Sequence, residues 1–164
     1  FNTVNKFLIQ WDKTFWDDTD FLGLCSDEMQ DQNFATYFLN MNKINKESHC
    51  LMTFAYADAA QKSETMTDIE IINIVKANLE KMYPGKIVDP KKIFRSKWYN
   101  DPFTAGSYTF LSTNSKLTDI EELAKPQNQI YFAGEHTHTQ YFSTVHGAYL
   151  SGQRAAQEII DATI

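Results

Sequence analysis

The segment from residue 130 to residue 152 constrains the fold of this chain more than any other feature. Four apolar residues, Ile130–Ala133, lead into Gly134, and after a polar loop the stretch Thr144–Asp161 has helical periodicity. One face of that helix carries Ala148, Gly152, Ala155 and Ile159. We therefore predict a strand, a glycine turn and a helix whose first amide groups suit an anionic group. A helix packed tightly on a sheet has the same spacing, and the residues alone leave that alternative open.

The earlier part of the chain predicts an antiparallel sheet with a helix beside it. The predicted strands are Val4–Trp11, Phe21–Leu24, Tyr37–Met41, Leu51–Ala57, Ile93–Trp98 and Ser107–Leu111. Acidic residues are frequent at positions 17–33, where we expect solvated turns. Thr67 and Glu70 have the spacing of a capping box, which begins a helix that ends before Pro84. A shorter helix is predicted around Asp119–Ala124.

Composition and charge exclude several classes of protein. The 164 residues are 43% hydrophobic and 22% charged, which is typical of a globular domain and not of a disordered chain. The net charge of -6 is the wrong sign for a general nucleic-acid binder, and no apolar run approaches the roughly 20 residues that span a bilayer. Two cysteines cannot build a disulfide framework, so we expect an intracellular protein, cytoplasmic or nuclear. The opening in mid-pattern at Phe1 predicts the inside of a larger protein, either a fragment or a processed chain.

Three blocks of sequence carry a resemblance to one enzyme family. They are Val4–Lys6 with Phe15–Trp16, then Trp98–Tyr108 in the pattern W-x-x-D-P-F-x-x-G-S-Y, then Phe132–Thr137 with Thr144–Ala148. Their content, order and separation resemble the flavin-dependent amine oxidases, a family that includes polyamine oxidases, monoamine oxidases and lysine-specific histone demethylases. The three blocks together extend over nearly the whole chain.

The resemblance implies a mixed α/β fold in two domains. Residues 1–116 resemble the later part of the amine domain, a mixed β-sheet with flanking helices. Residues 117–164 resemble the C-terminal strand and helix of a Rossmann-like FAD-binding domain. The glycine-rich fingerprint that holds a dinucleotide is absent. We therefore expect the N-terminal FAD-binding portion of the same protein to be the partner that this chain needs, and the isolated chain to be inactive.

The resemblance also implies an activity, the FAD-dependent oxidation of an amine. A hydride passes from the carbon next to nitrogen to flavin N5, and oxygen then reoxidises the flavin with release of hydrogen peroxide. The version Thr144-Val145-His146-Gly147 resembles polyamine oxidases and histone demethylases, so the expected substrate is a polyamine or a lysine side chain. The alternative is a non-catalytic relative that serves as a binding or structural module, and a visible flavin spectrum would distinguish the two.

Three residues of the predicted amine domain match family positions beside the flavin ring. Lys6 matches the catalytic lysine that holds a water near N5, whereas its residue type and strand position alone would favour a surface lysine. Trp98 and Phe103 match aromatic residues that bind the flavin, and ordinary core residues are the alternative.

Five further residues match the cofactor and substrate positions around the C-terminal helix. Tyr108 and Thr144 match the two walls that guide the amine, and Thr144 also belongs to the flavin-binding set. Gly134 matches the turn near the diphosphate, and Glu135 matches the acidic residue beside the ribityl and diphosphate portion. Val145 matches the position whose backbone N–H meets the pyrimidine end of the flavin.

Histidines near the same turn raise one alternative, a metal-dependent enzyme. His136 and His138 could place two imidazoles on one side of an extended loop, and His146 follows. A zinc site usually needs three or four ligands, and Glu135 is the one further ligand that is well placed. We therefore predict no metal.

Overall fold

The structure, a computed structural model, describes residues 2–25 and 34–163. Residues 26–33 of the predicted acidic turns lie outside the described residues. The strands are β1 (Val4–Gln10), β2 (Phe21–Gly23), β3 (Phe34–Asn40), β4 (Cys50–Tyr56) and β5 (Lys92–Arg95). The helices are α1 (Ala57–Thr65), α2 (Asp68–Met82), α3 (Leu117–Ala124) and α4 (Val145–Thr163), with short 3-10 turns at Met41–Lys43 and Glu135–Thr137. This content confirms the predicted mixed α/β class.

The described residues form two compact units. The sheet unit contains residues 3–107 and all five strands, and the C-terminal unit contains residues 108–163 together with Asn2. The domain division after residue 116 stays a prediction. No helix among the described residues has the length and apolar character to cross a bilayer.

The sheet has the order β2-β3-β4-β1-β5, and every pair of neighbouring strands is antiparallel. The meander that the sequence predicted corresponds to β2, β3 and β4. The first strand, β1, lies between β4 and β5, so Lys6 pairs with Phe54 on one side and Phe7 pairs with Arg95 on the other. Residues near the N-terminus therefore form the interior of the sheet.

Alternation along the strands gives the sheet two different faces. On the inner face Asn5, Phe7 and Ile9 are almost completely buried, and their neighbours on β4 are buried with them. Three apolar residues of α2 belong to the same core, namely Ile71, Val75 and Leu79. On the outer face Lys6 is exposed and Leu8 is half-buried. The outer face is nevertheless rich in aromatic and aliphatic side chains, namely Phe21, Tyr37, Leu39, Met52, Phe54, Tyr56 and Phe94.

Helix α2 begins as its capping box predicted. The Thr67 hydroxyl accepts from the Glu70 amide at 3.3 Å, and the Glu70 carboxylate accepts from the Thr67 amide at 2.7 Å. The two hydrogen bonds satisfy amide groups that the first turn leaves without partners. The Thr67 amide and the Thr67 hydroxyl both donate to the Glu70 carboxylate, and they lower the pKa of that carboxyl from its ordinary value.

Helix α1 was not predicted, because the expected strand ran on to Ala57. The backbone turns there, with φ of 51° at Ala57, and the Ala57 amide donates to the Thr3 carbonyl at 2.9 Å. A positive φ at an alanine is set by tertiary contacts and has no signature in the sequence.

Two predicted strands are wrong within the described residues. Ser107–Leu111 forms no strand because the Thr109 amide donates to the Glu135 carboxylate at 3.0 Å instead of to a neighbouring strand. Ile130–Ala133 forms no strand because Ile130 is hydrogen bonded to Gln127 in a local turn. The Ile130 carbonyl accepts from the Gln127 amide at 2.9 Å, and the Ile130 amide donates to the Gln127 carbonyl at 3.0 Å. The helix predicted after Ile130–Ala133 is present as α4.

Thr67→Ala should loosen the first turn of α2. The loss of an N-cap costs about 1 kcal/mol, which corresponds to roughly fivefold faster hydrogen exchange of amides in that turn. Exchange measured by mass spectrometry checks this, and Thr67→Ser should restore the parent rate. An unchanged rate in Thr67→Ala would show that the capping box does not hold the helix.

Candidate functional site

Lys6 projects from the outer face of the sheet. Its neighbour across the sheet is Phe54, and the next outward residue on the same strand is Leu8. Its backbone is fixed by Ser96, because the Lys6 amide donates to the Ser96 hydroxyl at 2.9 Å and the Ser96 amide donates to the Lys6 carbonyl at 3.1 Å. An exposed ammonium beside the aromatic ring of Phe54 and the aliphatic side chain of Leu8 has the character of a site residue.

Phe54 is one of four aromatic residues that form a continuous row across the same face. The ring centroids of Phe21 and Tyr37 are 5.5 Å apart, those of Tyr37 and Phe54 are 6.0 Å apart, and those of Phe54 and Tyr56 are 6.0 Å apart. These distances are typical of aromatic pairs that interact. The row gives the outer face a rigid aromatic surface next to Lys6.

Asn5 links this strand to the segment that carries Trp98. The Asn5 side-chain carbonyl accepts from the Ser96 hydroxyl at 3.2 Å and from the Trp98 amide at 3.3 Å. Its amide group donates to the Ala60 carbonyl at 3.0 Å and to the Glu64 carboxylate at 2.8 Å. A buried asparagine on the inner face thus determines where the Trp98 backbone lies.

The Glu64 carboxylate holds the next two residues of that segment. It accepts from the Tyr99 amide at 2.9 Å and from the Asn100 amide at 2.8 Å. Burial is the largest single influence on the Glu64 pKa and raises it. The hydrogen bonds from Asn5, Tyr99 and Asn100 together outweigh burial, so the pKa lies below its ordinary value and the carboxylate is ionised at neutral pH.

Trp98 and Phe103 present aromatic surface from the same segment. Phe103 is 96% exposed and Trp98 is 42% exposed. The loop between them is held by side chains, since the Thr104 hydroxyl donates to the Trp98 carbonyl and the Phe103 amide donates to the Asp101 carboxylate, each at 2.8 Å. Neither ring is part of the buried core, so the core-residue alternative is wrong for both.

Gly134 forms a backbone turn in the C-terminal unit that other residues cannot adopt without strain. Its φ and ψ are 143° and 160°, and a Cβ there would lie 2.6 Å from His136 Nδ1. Its amide donates to the Ser151 hydroxyl on α4 at 2.8 Å. Arg154, also on α4, donates to the Phe132 carbonyl at 2.8 Å and to the Thr137 hydroxyl at 3.1 Å. The turn is therefore fixed to the helix on both sides of Gly134.

Glu135 organises two neighbouring segments of the same unit. One carboxylate oxygen accepts from both the Thr109 amide at 3.0 Å and the Thr109 hydroxyl at 2.9 Å. The other accepts from the Ser143 amide. A carboxylate offers about four acceptor positions, so three are used within the chain and about one remains for a donor on a ligand.

Helix α4 begins with a threonine cap and an exposed first turn. The Thr144 hydroxyl accepts from the Gly147 amide at 3.1 Å, which is the geometry of an N-cap. Val145, the first residue of the helix, is 89% exposed. Gly147 is buried against Tyr141, because a Cβ on Gly147 would come within 2.8 Å of the Tyr141 carbonyl carbon. A ligand can therefore reach the start of the helix at Val145, which is exposed, but not at Gly147, which is buried.

Tyr108 and the histidines complete the predicted residues of the C-terminal unit. Tyr108 is 46% exposed. Tyr141 lies between two histidines, with its ring centroid 5.0 Å from that of His138 and 4.7 Å from that of His146. Across residues 2–25 and 34–163, no three His, Cys, Asp or Glu side chains converge as metal ligands would.

Asn5, Glu64 and Thr109 are site residues that the sequence reasoning missed. Asn5 carried a usable signal, because strand alternation places it on the same face as Phe7 and Ile9, where an amide side chain needs partners. Glu64 and Thr109 carried no such signal, since their partners are distant in the sequence.

The description of one known protein family matches nearly the whole chain. The model of the flavin containing amine oxidoreductases matches residues 1–160. The chain belongs to this family. A flavin is therefore the cofactor that family membership implies, and the predicted resemblance is confirmed.

The amine oxidoreductase relatives with similar sequences differ in their described substrates. The chain is 34% identical to histone demethylase-like protein A of Aspergillus fumigatus over 100% of its own length, and it spans 16% of that protein. It is 31% identical to human peroxisomal N(1)-acetyl-spermine/spermidine oxidase, with 98% of the chain and 35% of the relative covered. The chain thus spans about a third of these relatives or less.

A solved amine oxidase has the same fold. Cyclohexylamine oxidase from Brevibacterium oxydans IH-35A matches with a TM-score of 0.75 and 18% identity. The match covers 99% of this chain and 36% of that enzyme. At this identity the likeness supports the fold.

Gly147→Ala should loosen the start of α4, because the added methyl group meets the Tyr141 backbone. We expect faster hydrogen exchange in the first turns of α4. Gly152→Ala is the matched control, since a methyl group at Gly152 would have no atom within 4 Å and an alanine stabilises a helix interior by about 1 kcal/mol. Equal exchange in the two variants would contradict the close contact at Gly147.

Proposed function

We propose that the protein to which this chain belongs oxidises amines with FAD and passes the electrons to oxygen, giving hydrogen peroxide. The observation that carries the proposal is the position of Lys6, an exposed ammonium on an aromatic sheet face. Family membership supports a flavin as cofactor. An intracellular location stays a prediction.

The sheet unit offers surfaces that fit a flat aromatic cofactor. Trp98 and Phe103 are exposed rings on a segment that hydrogen bonds hold in place. Aromatic side chains are common in the walls of small-molecule and cofactor sites. In this proposal Trp98 and Phe103 pack against the flavin, and Lys6 holds a water through its ammonium group.

The C-terminal unit, taken by itself, offers groups that fit the polar parts of a flavin cofactor. The remaining acceptor position of Glu135 fits a ribityl hydroxyl, which can donate a hydrogen bond. A phosphate oxygen that carries no hydrogen cannot donate to Glu135, so in this proposal the diphosphate lies near the backbone turn at Gly134 instead. The exposed amide end of α4 at Val145 favours negative charge at the pyrimidine end of a flavin.

A bound flavin would supply the acceptor for a hydride from the carbon next to the amine nitrogen. The residues of this chain prepare that reaction. Lys6 holds a water and contributes positive charge, while Tyr108 and the methyl group of Thr144 form apolar walls along which an amine is aligned. The Thr144 hydroxyl donates to the Tyr141 carbonyl and accepts from the Gly147 amide, so its one hydrogen is already used within the chain.

We propose a polyamine or a methylated lysine side chain as the substrate class. Both are cationic amines that aromatic faces attract, and the row Phe21–Tyr37–Phe54–Tyr56 provides such faces. The net charge of -6 also favours the approach of cations. The relatives named for polyamine oxidation and for histone demethylation support both choices.

Lys6→Met in the full-length protein should slow flavin reduction or its reoxidation by about 100-fold while FAD stays bound, because the water loses its ammonium partner. Stopped-flow absorption of the flavin with spermine, N-acetylspermine and a methylated lysine peptide measures both rates. The matched control is Lys92→Met, which removes an exposed lysine opposite Gln10 on the same face. Parent rates in Lys6→Met would remove Lys6 from the mechanism.

Gly134→Val should abolish flavin retention, because a valine is strained at φ of 143° and blocks the backbone turn. The flavin-to-protein absorbance ratio after purification measures retention. Gly23→Ala, at a strand glycine with nothing within 4 Å, should keep its flavin. A Gly134→Val protein with full flavin content would refute this placement.

A further inference from the structure

We propose that Asn5 and Glu64 are positioning residues for catalysis, which together set the position of Trp98 relative to Lys6. The inference rests on the proposed function, since it concerns how the chain prepares its flavin-facing surface. Neither residue touches the outer face itself. Both act from the buried side of the sheet through the backbone of residues 96–100.

Asn5 is the point at which Lys6 and Trp98 are tied together. The two residues Asn5 and Lys6 are adjacent in β1, so one side chain is directed inward and the other outward. Ser96 accepts from the Lys6 amide at 2.9 Å and donates to Asn5 at 3.2 Å. The Trp98 amide donates to the same Asn5 oxygen at 3.3 Å. A movement of Asn5 would therefore move Lys6 and Trp98 with respect to each other.

Glu64 holds Asn5 and the tryptophan segment with one carboxylate. One oxygen accepts from Asn5 at 2.8 Å and from the Tyr99 amide at 2.9 Å, and the other accepts from the Asn100 amide at 2.8 Å. The three donors converge on an acceptor that can serve all of them. A glutamine would keep one oxygen and add two donors, so it could not satisfy the same set.

Glu64 is a buried carboxylate whose hydrogen-bond donors are neutral groups. The residue is 5% exposed, and among residues 2–25 and 34–163 no Lys, Arg or His forms an ion pair with it. A buried charge held by neutral donors is expensive compared with an apolar side chain. The nearby Arg95 is used elsewhere, since it pairs with Asp68 at 3.0 Å and donates to the Ser63 carbonyl. What Glu64 provides is a fixed geometry for residues 98–100.

The test is Glu64→Gln in the full-length, FAD-loaded protein, read in three ways. Hydrogen exchange of the peptide over residues 97–100 measures how often the backbone of that segment opens. The fluorescence of the bound flavin measures how closely Trp98 approaches the flavin ring. Stopped-flow reduction by saturating spermine, per bound flavin, reports catalysis. We expect exchange about fivefold faster, a change in flavin fluorescence, and reduction about 10- to 100-fold slower with FAD retained.

Two control variants separate positioning from stability. Val75→Ala removes buried side-chain volume in the same unit and should lower the melting temperature while reduction per bound flavin stays at the parent rate. Asp58→Asn neutralises an exposed carboxylate on the same helix and should leave flavin reduction per bound flavin at the parent rate. If Glu64→Gln does not fold, Glu64→Asp is used instead, because it keeps the charge but withdraws the carboxylate from its donors.

The outcomes distinguish this inference from the proposed function. A parent rate per bound flavin in the Glu64 variant overturns the positioning role, and so does an equal loss of rate in Val75→Ala. If the parent flavin is not reduced by any amine, the proposed function fails. In that case the exchange and fluorescence measurements still decide whether Glu64 holds the Trp98 segment.

Discussion

The rest of the sheet unit depends on the hydrogen bonds that Asn5 makes from the inner face of β1. Most inward residues of this sheet are apolar and contribute by burial. The Asn5 side chain, by contrast, makes hydrogen bonds that join β1 to α1 and to the segment that follows β5. An amide side chain can do this because it donates and accepts at opposite ends. The strand that carries Lys6 and the loop that carries Trp98 are thereby held as one body.

The chemistry that we propose follows from the division of the sheet into two faces. The inner face is stabilised by burial, with α1 and α2 covering it. The outer face keeps aromatic residues and Lys6 accessible, an arrangement that contributes little to folding but suits an amine and a flat cofactor. In the C-terminal unit the corresponding fixed element is the turn at Gly134, held to α4 by Ser151 and Arg154.

Local signals made part of this structure predictable from the sequence. The alternation in β1 and the capping box at Thr67 act over a few residues, and both elements form as expected. Helix α1 was not predictable because it begins at a strained Ala57, and Ile130 departs from its expected strand because a local turn satisfies its backbone. The tie between Asn5 and Glu64 joins residues 59 positions apart, so no window of sequence contains it. The family resemblance predicted the roles of Lys6 and Trp98. The hydrogen bonds through Ser96 and Asn5 that hold these two residues relative to each other are visible only in the structure.

A crystal structure of the full-length protein loaded with FAD tests the central claim most directly. If one water bridges the Lys6 ammonium and flavin N5 by two hydrogen bonds of about 2.9 Å each, the two nitrogens would lie within about 6 Å of each other. We predict that distance, together with Trp98 against the flavin ring and Glu64 still bound to the amides of Tyr99 and Asn100. A flavin that lies elsewhere, with Lys6 directed into bulk water and no ring near Trp98, would contradict the account.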